Sequence, residues 1–324
     1  MGKAKVFVTR RLPEATLNRL VAHCEVEEWE DFMPPDYATI VEKIRDLDGL
    51  LSLLTDRVDA RLMDAAPNLR VVSNLAVGYD NIDVDAATAR RIPVGNTPGV
   101  LTETTADFAF ALLMAVARRI PEAQTYIREG NWRTWHPTVL SGQDVFGATL
   151  GIIGFGRIGQ AIARRAKGFN MTILVDTEEN KDKINEVGAE EASFERVLSE
   201  SDFVSLHVPL TETTQHMIGE RELESMKSSA ILINTARGSI VDGEALYKAL
   251  DRGDILAAGL DVTDPEPIPL EDPLLSLDNC LVVPHIASAS VATRAKMADM
   301  AADNLIAGVT GSRLPNCVNP DVYS

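Results

Sequence analysis

The sequence predicts the α/β class, as two Rossmann-like/flavodoxin-like parallel-sheet domains, on three observations. Its 324 residues exceed one domain of roughly 150 residues and suit two. Short apolar runs alternate with helical stretches in two separate series, the rhythm of parallel strands joined by crossover helices. A Gly-x-Gly-x-x-Gly triplet, Gly154, Gly156 and Gly159, stands between one such run and the helical stretch that follows it.

The first series places strands at 6–9, 49–53 and 71–75, with helices at 15–22, 37–44 and 60–65. Residues 102–118 read as an apolar-faced helix, opened by Thr102 and the carboxylate of Glu103. The second series puts strands at 150–153, 172–175, 203–208, 231–234, 257–260 and 281–283, with a helix at 157–167 directly after the glycines. A long Ala-rich helix from about 288 to 307 closes the chain, and no repeat of solenoid period interrupts the pattern.

Composition excludes several classes. With 45% apolar and 24% charged residues the chain is an ordinary globular one, neither disordered nor fibrous. Against 48 acidic side chains stand 31 Lys and Arg, a net charge of -17 that repels nucleic acid and anionic lipid. Cys24, Cys280 and Cys317 show neither Cys-x-x-Cys spacing nor a Cys/His cluster, so they read as reduced thiols and no metal is expected. Residues 279–293 form the longest uncharged run and contain Pro284 and His285, short of the ~18 apolar residues of a membrane span. The N-terminus carries Lys3, Lys5, Arg10 and Arg11 without a long apolar stretch, so the expected location is the cytoplasm.

The glycine triplet gains meaning from its context. Gly154 permits a tight turn, Gly156 lets a pyrophosphate approach the backbone, and Gly159 lets helix pack on strand, while the helix start attracts phosphate charge. Asp176 ends the next strand, 22 residues after Gly154, where a carboxylate accepts from ribose hydroxyls and repels a 2′-phosphate, favouring NAD over NADP. Glycines serving only the turn, and Asp176 as a solvated strand-end acid, are the plainer alternatives. Three later strands end on 234–238, on 259–261 running to 264–267, and on 284–288. Singly, Arg237 reads as a surface ion-pair partner, Glu266 as a solvated loop acid and His285 as a capped core histidine. Together at the carboxyl edge of one sheet they supply a planar cation for a carboxylate, a proton donor and an anion to orient it, a set that suits carbonyl reduction.

The order of these elements resembles the D-isomer-specific 2-hydroxyacid dehydrogenases over nearly the whole chain. LAVGYDNIDVDAA, TETTADFAFALLMAVAR, GIIGFGRIGQAIARR, LINTARGSIVD, AAGLDVTDPEP and VVPHIASAS are similar to that family's successive signatures, and within it the chain is most similar to glyoxylate/hydroxypyruvate reductases. The resemblance implies a substrate-binding domain made of 1–98 and 288–324, an NAD-binding domain at 99–287 inserted within it, an active site in the cleft between them, and a homodimer. It implies Arg237, Glu266 and His285 as the catalytic set and the backbone amides of Val77 and Gly78, with Arg237 and His285, as the substrate grip. NAD(H) contacts are implied at Thr104, Gly154, Gly156, Arg157, Ile158, Gly159, Asp176, Val208, Pro209, Thr235, Ala236, Arg237, Asp261, His285 and Ala287. The loop Gly130 to Pro137 resembles a dimerisation loop whose second tryptophan, Trp135, reaches the partner's active site; two aromatics packing in a dimer core is the alternative.

Two departures narrow the resemblance. Val77 stands where phosphite dehydrogenases have lysine, and Glu266 where formate dehydrogenases have glutamine. The expected reaction is NADH-dependent reduction of glyoxylate or hydroxypyruvate, with His285 as the acid. A D-3-phosphoglycerate or D-lactate dehydrogenase is the alternative within the class, and an NADH-sensing protein like the C-terminal-binding corepressors is the alternative outside it.

Overall fold

The computed structural model describes residues 2–324, and the chain divides into two compact units. One unit runs to Leu101 and resumes at Ser290–Ser324; the other is Thr102–Ala289.

In the first unit β1 (Ala4–Val8), α1 (Glu14–His23), β2 (Cys24–Glu28), α2 (Tyr37–Lys43), β3 (Gly49–Ser52), α3 (Ala60–Asp64), β4 (Val71–Asn74), α4 (Val84–Ala89) and β5 (Val94–Gly95) follow one another. The strands form a wholly parallel sheet in the order β2-β1-β3-β4-β5, the flavodoxin arrangement. Alternate side chains serve opposite faces. Phe7, Leu50 and Val72 join Ile40, Ile44 and Leu62 in one core, while Val6, Val8, Leu51 and Val71 meet Met297, Ala301 and Leu305 of the C-terminal helix Val291–Val309 in the other. A Cβ at Gly308 would lie 2.4 Å from the Val71 Cβ, so only glycine lets that helix settle so close to β4. Asp36, Asp59 and Asp83 cap α2, α3 and α4 by accepting from the amides of Thr39, Leu62 and Ala86.

The second unit contains α5 (Thr102–Ala117), α6 (Ile120–Arg128), β6 (Thr149–Ile153), α7 (Arg157–Lys167), β7 (Thr172–Asp176), β8 (Glu190–Glu191), α8 (Phe194–Glu200), β9 (Phe203–Leu206), α9 (Glu220–Ser225), β10 (Ile231–Asn234), α10 (Gly243–Arg252), β11 (Ala257–Leu260) and β12 (Cys280–Val282). Its parallel sheet has the order β12-β11-β10-β9-β6-β7-β8. The chain leaves β6 towards β7 on one side and later returns to β9 on the other, which makes the carboxyl ends of β6 and β9 the topological switch point where such sheets take ligands. Ala106, Ala109, Leu113, Ala161 and Ile162 of α5 and α7 cover one face; Val197, Leu223, Leu246 and Leu250 of α8, α9 and α10 cover the other. The strand expected at 203–208 stops at Leu206; the His207 amide still donates to the Ile153 carbonyl at 2.8 Å, and the His207 carbonyl and Val208 then lie against Gly154. Among the described residues no helix is long and apolar enough to cross a membrane.

Candidate active site

At the end of β6 the three glycines differ in what they do. Gly154 has φ +91° and donates to the Asp176 carbonyl at 2.9 Å; a Cβ there would strike the His207 carbonyl oxygen at 2.7 Å. Gly159, in the first turn of α7, has the Gly154 carbonyl oxygen 2.3 Å from where its Cβ would be. Gly156 is the helix N-cap, and a Cβ there would meet nothing within 4 Å. Two glycines are thus demanded by the chain's own packing, and the middle one keeps open the approach to the helix start, where Arg157 and Ile158 lie. Asp176 ends the neighbouring strand half-buried. Burial first, then Glu178 and Glu195, push its carboxyl above the ordinary range, with Lys181 opposing.

The ends of β10, β11 and β12 are bound together by short contacts. The buried Asn234 side chain accepts from the Ala236 amide at 3.0 Å and donates to the Arg237 carbonyl at 2.8 Å, shaping the turn that presents Arg237. A Cβ at Gly238 would fall 2.0 Å from the Thr263 carbonyl, so the turn packs directly on the loop that leads to Glu266. Glu266 Oε1 lies 2.5 Å from His285 Nδ1, leaving Nε2 as the ring nitrogen away from the carboxylate. His285 itself has φ +51°, and its amide donates to the Asp261 carbonyl at 2.9 Å. The Asp261 carboxylate, 1% exposed, accepts from the amides of Ile286 at 2.7 Å and Ala287 at 2.9 Å; burial pushes its carboxyl up although these amides pull it down. Asp261 therefore ties β11 to the histidine loop with both oxygens.

These features fit a dinucleotide. Besides the open approach at Gly156, the buried Thr235 hydroxyl has no hydrogen-bond partner among the described residues. Val208 and Pro209 follow β9 at the switch point, Ala236 lies in the Asn234 turn, and Thr104 is in the first turn of α5.

Val77 and Gly78 lie in the first unit, in the loop after β4. Its carbonyls are taken in succession: Ala76 by the Thr97 amide at 2.8 Å, Val77 by Asn96 Nδ2 at 2.8 Å, and Gly78 by Asn74 Nδ2 at 3.0 Å. Asn74 and Asn96 escape the sequence reading, which names Asn234 only as the end of its strand; a strand-end asparagine before a turn is the one signal they leave. Trp132 and Trp135 are 64% and 79% exposed, and α6 nearby buries none of its residues although Ile120 and Ile127 belong to it.

Residues 110–287 match the family described as D-isomer specific 2-hydroxyacid dehydrogenase, NAD binding domain. The chain is 58% identical over 322 residues to a glyoxylate reductase of Korarchaeum cryptofilum (strain OPF8), covering 99% of this chain and 97% of that protein. Among solved structures, a Thermus thermophilus protein superposes with a TM-score of 0.92 at 46% identity, over 97% of this chain and 99% of that one. An NADPH-dependent glyoxylate/hydroxypyruvate reductase of Sinorhizobium meliloti, in complex with NADP and malonate, superposes with a TM-score of 0.87 at 36% identity, over 99% of this chain and 98% of that one.

Proposed function

The chain belongs to the D-isomer-specific 2-hydroxyacid dehydrogenases, and on that premise we propose that it reduces glyoxylate and hydroxypyruvate to glycolate and D-glycerate. A bound nicotinamide dinucleotide supplies the hydride to the carbonyl carbon. The amides of Val77 and Gly78 take the substrate carboxylate, and the Arg237 guanidinium orients the same carboxylate and polarises the carbonyl. His285 delivers a proton from Nε2 to the carbonyl oxygen. Glu266, 2.5 Å from Nδ1, fixes the ring's tautomer and orientation. The Glu266–His285 pair at the carboxyl edge of the sheet is the observation that carries this reading. Steady-state kinetics with glyoxylate, hydroxypyruvate, pyruvate and phosphohydroxypyruvate, each with NADH and NADPH, test it. A kcat/KM highest for pyruvate or phosphohydroxypyruvate moves the assignment to another dehydrogenase, and NADH binding without turnover moves it to a sensor.

The reductant is NADH rather than NADPH. Asp176 ends β7 with Glu178 and Glu195 bearing on it, and a carboxylate at that strand end disfavours a 2′-phosphate. The Sinorhizobium meliloti relative is NADPH-dependent, so the choice belongs to this chain's own residues. A preference of about tenfold or more in kcat/KM is expected, narrowing in Asp176→Ala, as the loss of one charged hydrogen bond and one repulsion predicts. A wild-type enzyme faster with NADPH would remove Asp176 from this role.

The working unit is a homodimer in the cytoplasm, where the free thiols of Cys24, Cys280 and Cys317 stay reduced. Trp132, Trp135, Ile120, Ile127 and Phe146 expose their side chains along one stretch of chain, and a second copy buries them. Trp132→Ala should weaken the dimer by about 2 kcal/mol in sedimentation equilibrium. Trp135→Ala should change the ratio of glyoxylate to bulkier 2-oxoacid turnover more than KM for NADH, and a fully active monomer would show the dimer to be dispensable.

A further inference from the structure

We propose that the carboxylate grip extends to a third amide, that of Tyr79, and that Asn74 is the positioning residue that sets it. This rests on the substrate reading above and deepens it. In a planar trans peptide the carbonyl of one residue and the amide of the next point in opposite directions, so a bond that holds the first also aims the second. The Thr97 amide on the Ala76 carbonyl aims the Val77 N–H, and Asn96 Nδ2 on the Val77 carbonyl aims that of Gly78. Asn74 Nδ2 on the Gly78 carbonyl aims that of Tyr79 in the same way. Their donors come from the carboxyl ends of β4 and β5, so all three carbonyls are drawn to that side and the three amides turn from it. None of the three donates to an acceptor among the described residues. Successive amides presented together form an anion-binding nest.

Asn74 is built to hold its place. It is fully buried, its Oδ1 accepts from Ser52 Oγ at 3.2 Å, and its Nδ2 also donates to Asn81 Oδ1 at 3.0 Å. Asn81 is in turn fixed by donating to the carbonyls of Leu53 at 3.0 Å and Asp56 at 2.8 Å. An aspartate at 74 keeps the shape but sets an oxygen against the Gly78 carbonyl, which releases the peptide that carries the Tyr79 amide.

A contact made equally in ground and transition states moves KM and leaves kcat. Asn74→Asp should therefore raise KM for glyoxylate and the inhibition constant of oxalate about tenfold, with kcat and the NADH Kd each changed by less than about threefold. Asn81→Ala, which loosens Asn74 without replacing it, should move KM in the same direction, and Ser52→Ala, which leaves both Nδ2 bonds, should not. A folded Asn74→Asp protein with wild-type KM and oxalate inhibition overturns the proposal; if that variant does not fold, an unchanged KM in Asn81→Ala overturns it instead. The underlying carboxylate reading fails separately, if the wild-type enzyme turns over the methyl ester of glyoxylate as well as glyoxylate itself.

Discussion

Replacing His285 with asparagine is expected to cut glyoxylate reduction by about 10³-fold, because a general acid contributes roughly 10²–10⁴ and the amide has no acidic proton to give the nascent alkoxide. The NADH Kd, read by fluorescence titration, should hold, since the substitution retains a polar side chain of similar reach and leaves the backbone bonds of the loop to Asp261 untouched. Glu266→Gln should be milder, with a loss of about tenfold. It retains a hydrogen-bonding atom near Nδ1 and loses the charge. Without that charge the contact that fixes the ring's orientation is weaker, so the loss should fall on kcat while the NADH Kd holds. A Glu266→Gln enzyme with wild-type kcat, or a His285→Asn enzyme with more than a tenth of wild-type kcat, contradicts the assigned roles.

The second large effect lies in the glycine turn, where fold and ligand binding separate. Gly156→Val should weaken NADH binding by about 100-fold or more while leaving the thermal midpoint nearly unchanged, because the protein leaves that Cβ position open and the pyrophosphate is expected to use it. Gly159→Ala should do the reverse first. Its methyl would sit 2.3 Å from the Gly154 carbonyl oxygen, an overpacking that typically costs about 1–3 kcal/mol and should show as a fall in Tm without ligand. Differential scanning calorimetry beside NADH titration checks both. A Gly156→Val protein that binds NADH normally would show that the cofactor does not cross this turn.

The parts of the fold legible in the sequence are those buried on both faces. β6, β7, β9, β10 and β11 are near-continuous apolar runs, and each stands where the sequence places it, β9 two residues shorter. The strands the sequence reading lacks are at edges or very short. β2 reads Cys-Glu-Val-Glu-Glu and follows α1 without a loop, so neither glycine nor proline marks the change from helix to strand. β8 is two exposed glutamates, and β5 is two residues long. Side-chain chemistry divides in the same way. His285, Glu266, Arg237 and Asp176 carry groups whose reactivity names them, whereas Asn74 and Asn234 matter through the carbonyls they meet, and only the folded loops determine which carbonyls those are. Asp261 belongs to both kinds: its charge is visible in the sequence, but its bond to the backbone of the histidine loop is not.

The left-handed backbone at His285, with φ +51°, bears on how such a site persists over generations. A residue with a Cβ held there costs about 1–2 kcal/mol, which glycine would not incur. On the role proposed for His285, a change to glycine here meets two opposed selective pressures, one on folding that favours it and one on catalysis that opposes it. A lineage released from the need to reduce its substrate would lose the second pressure and keep the first.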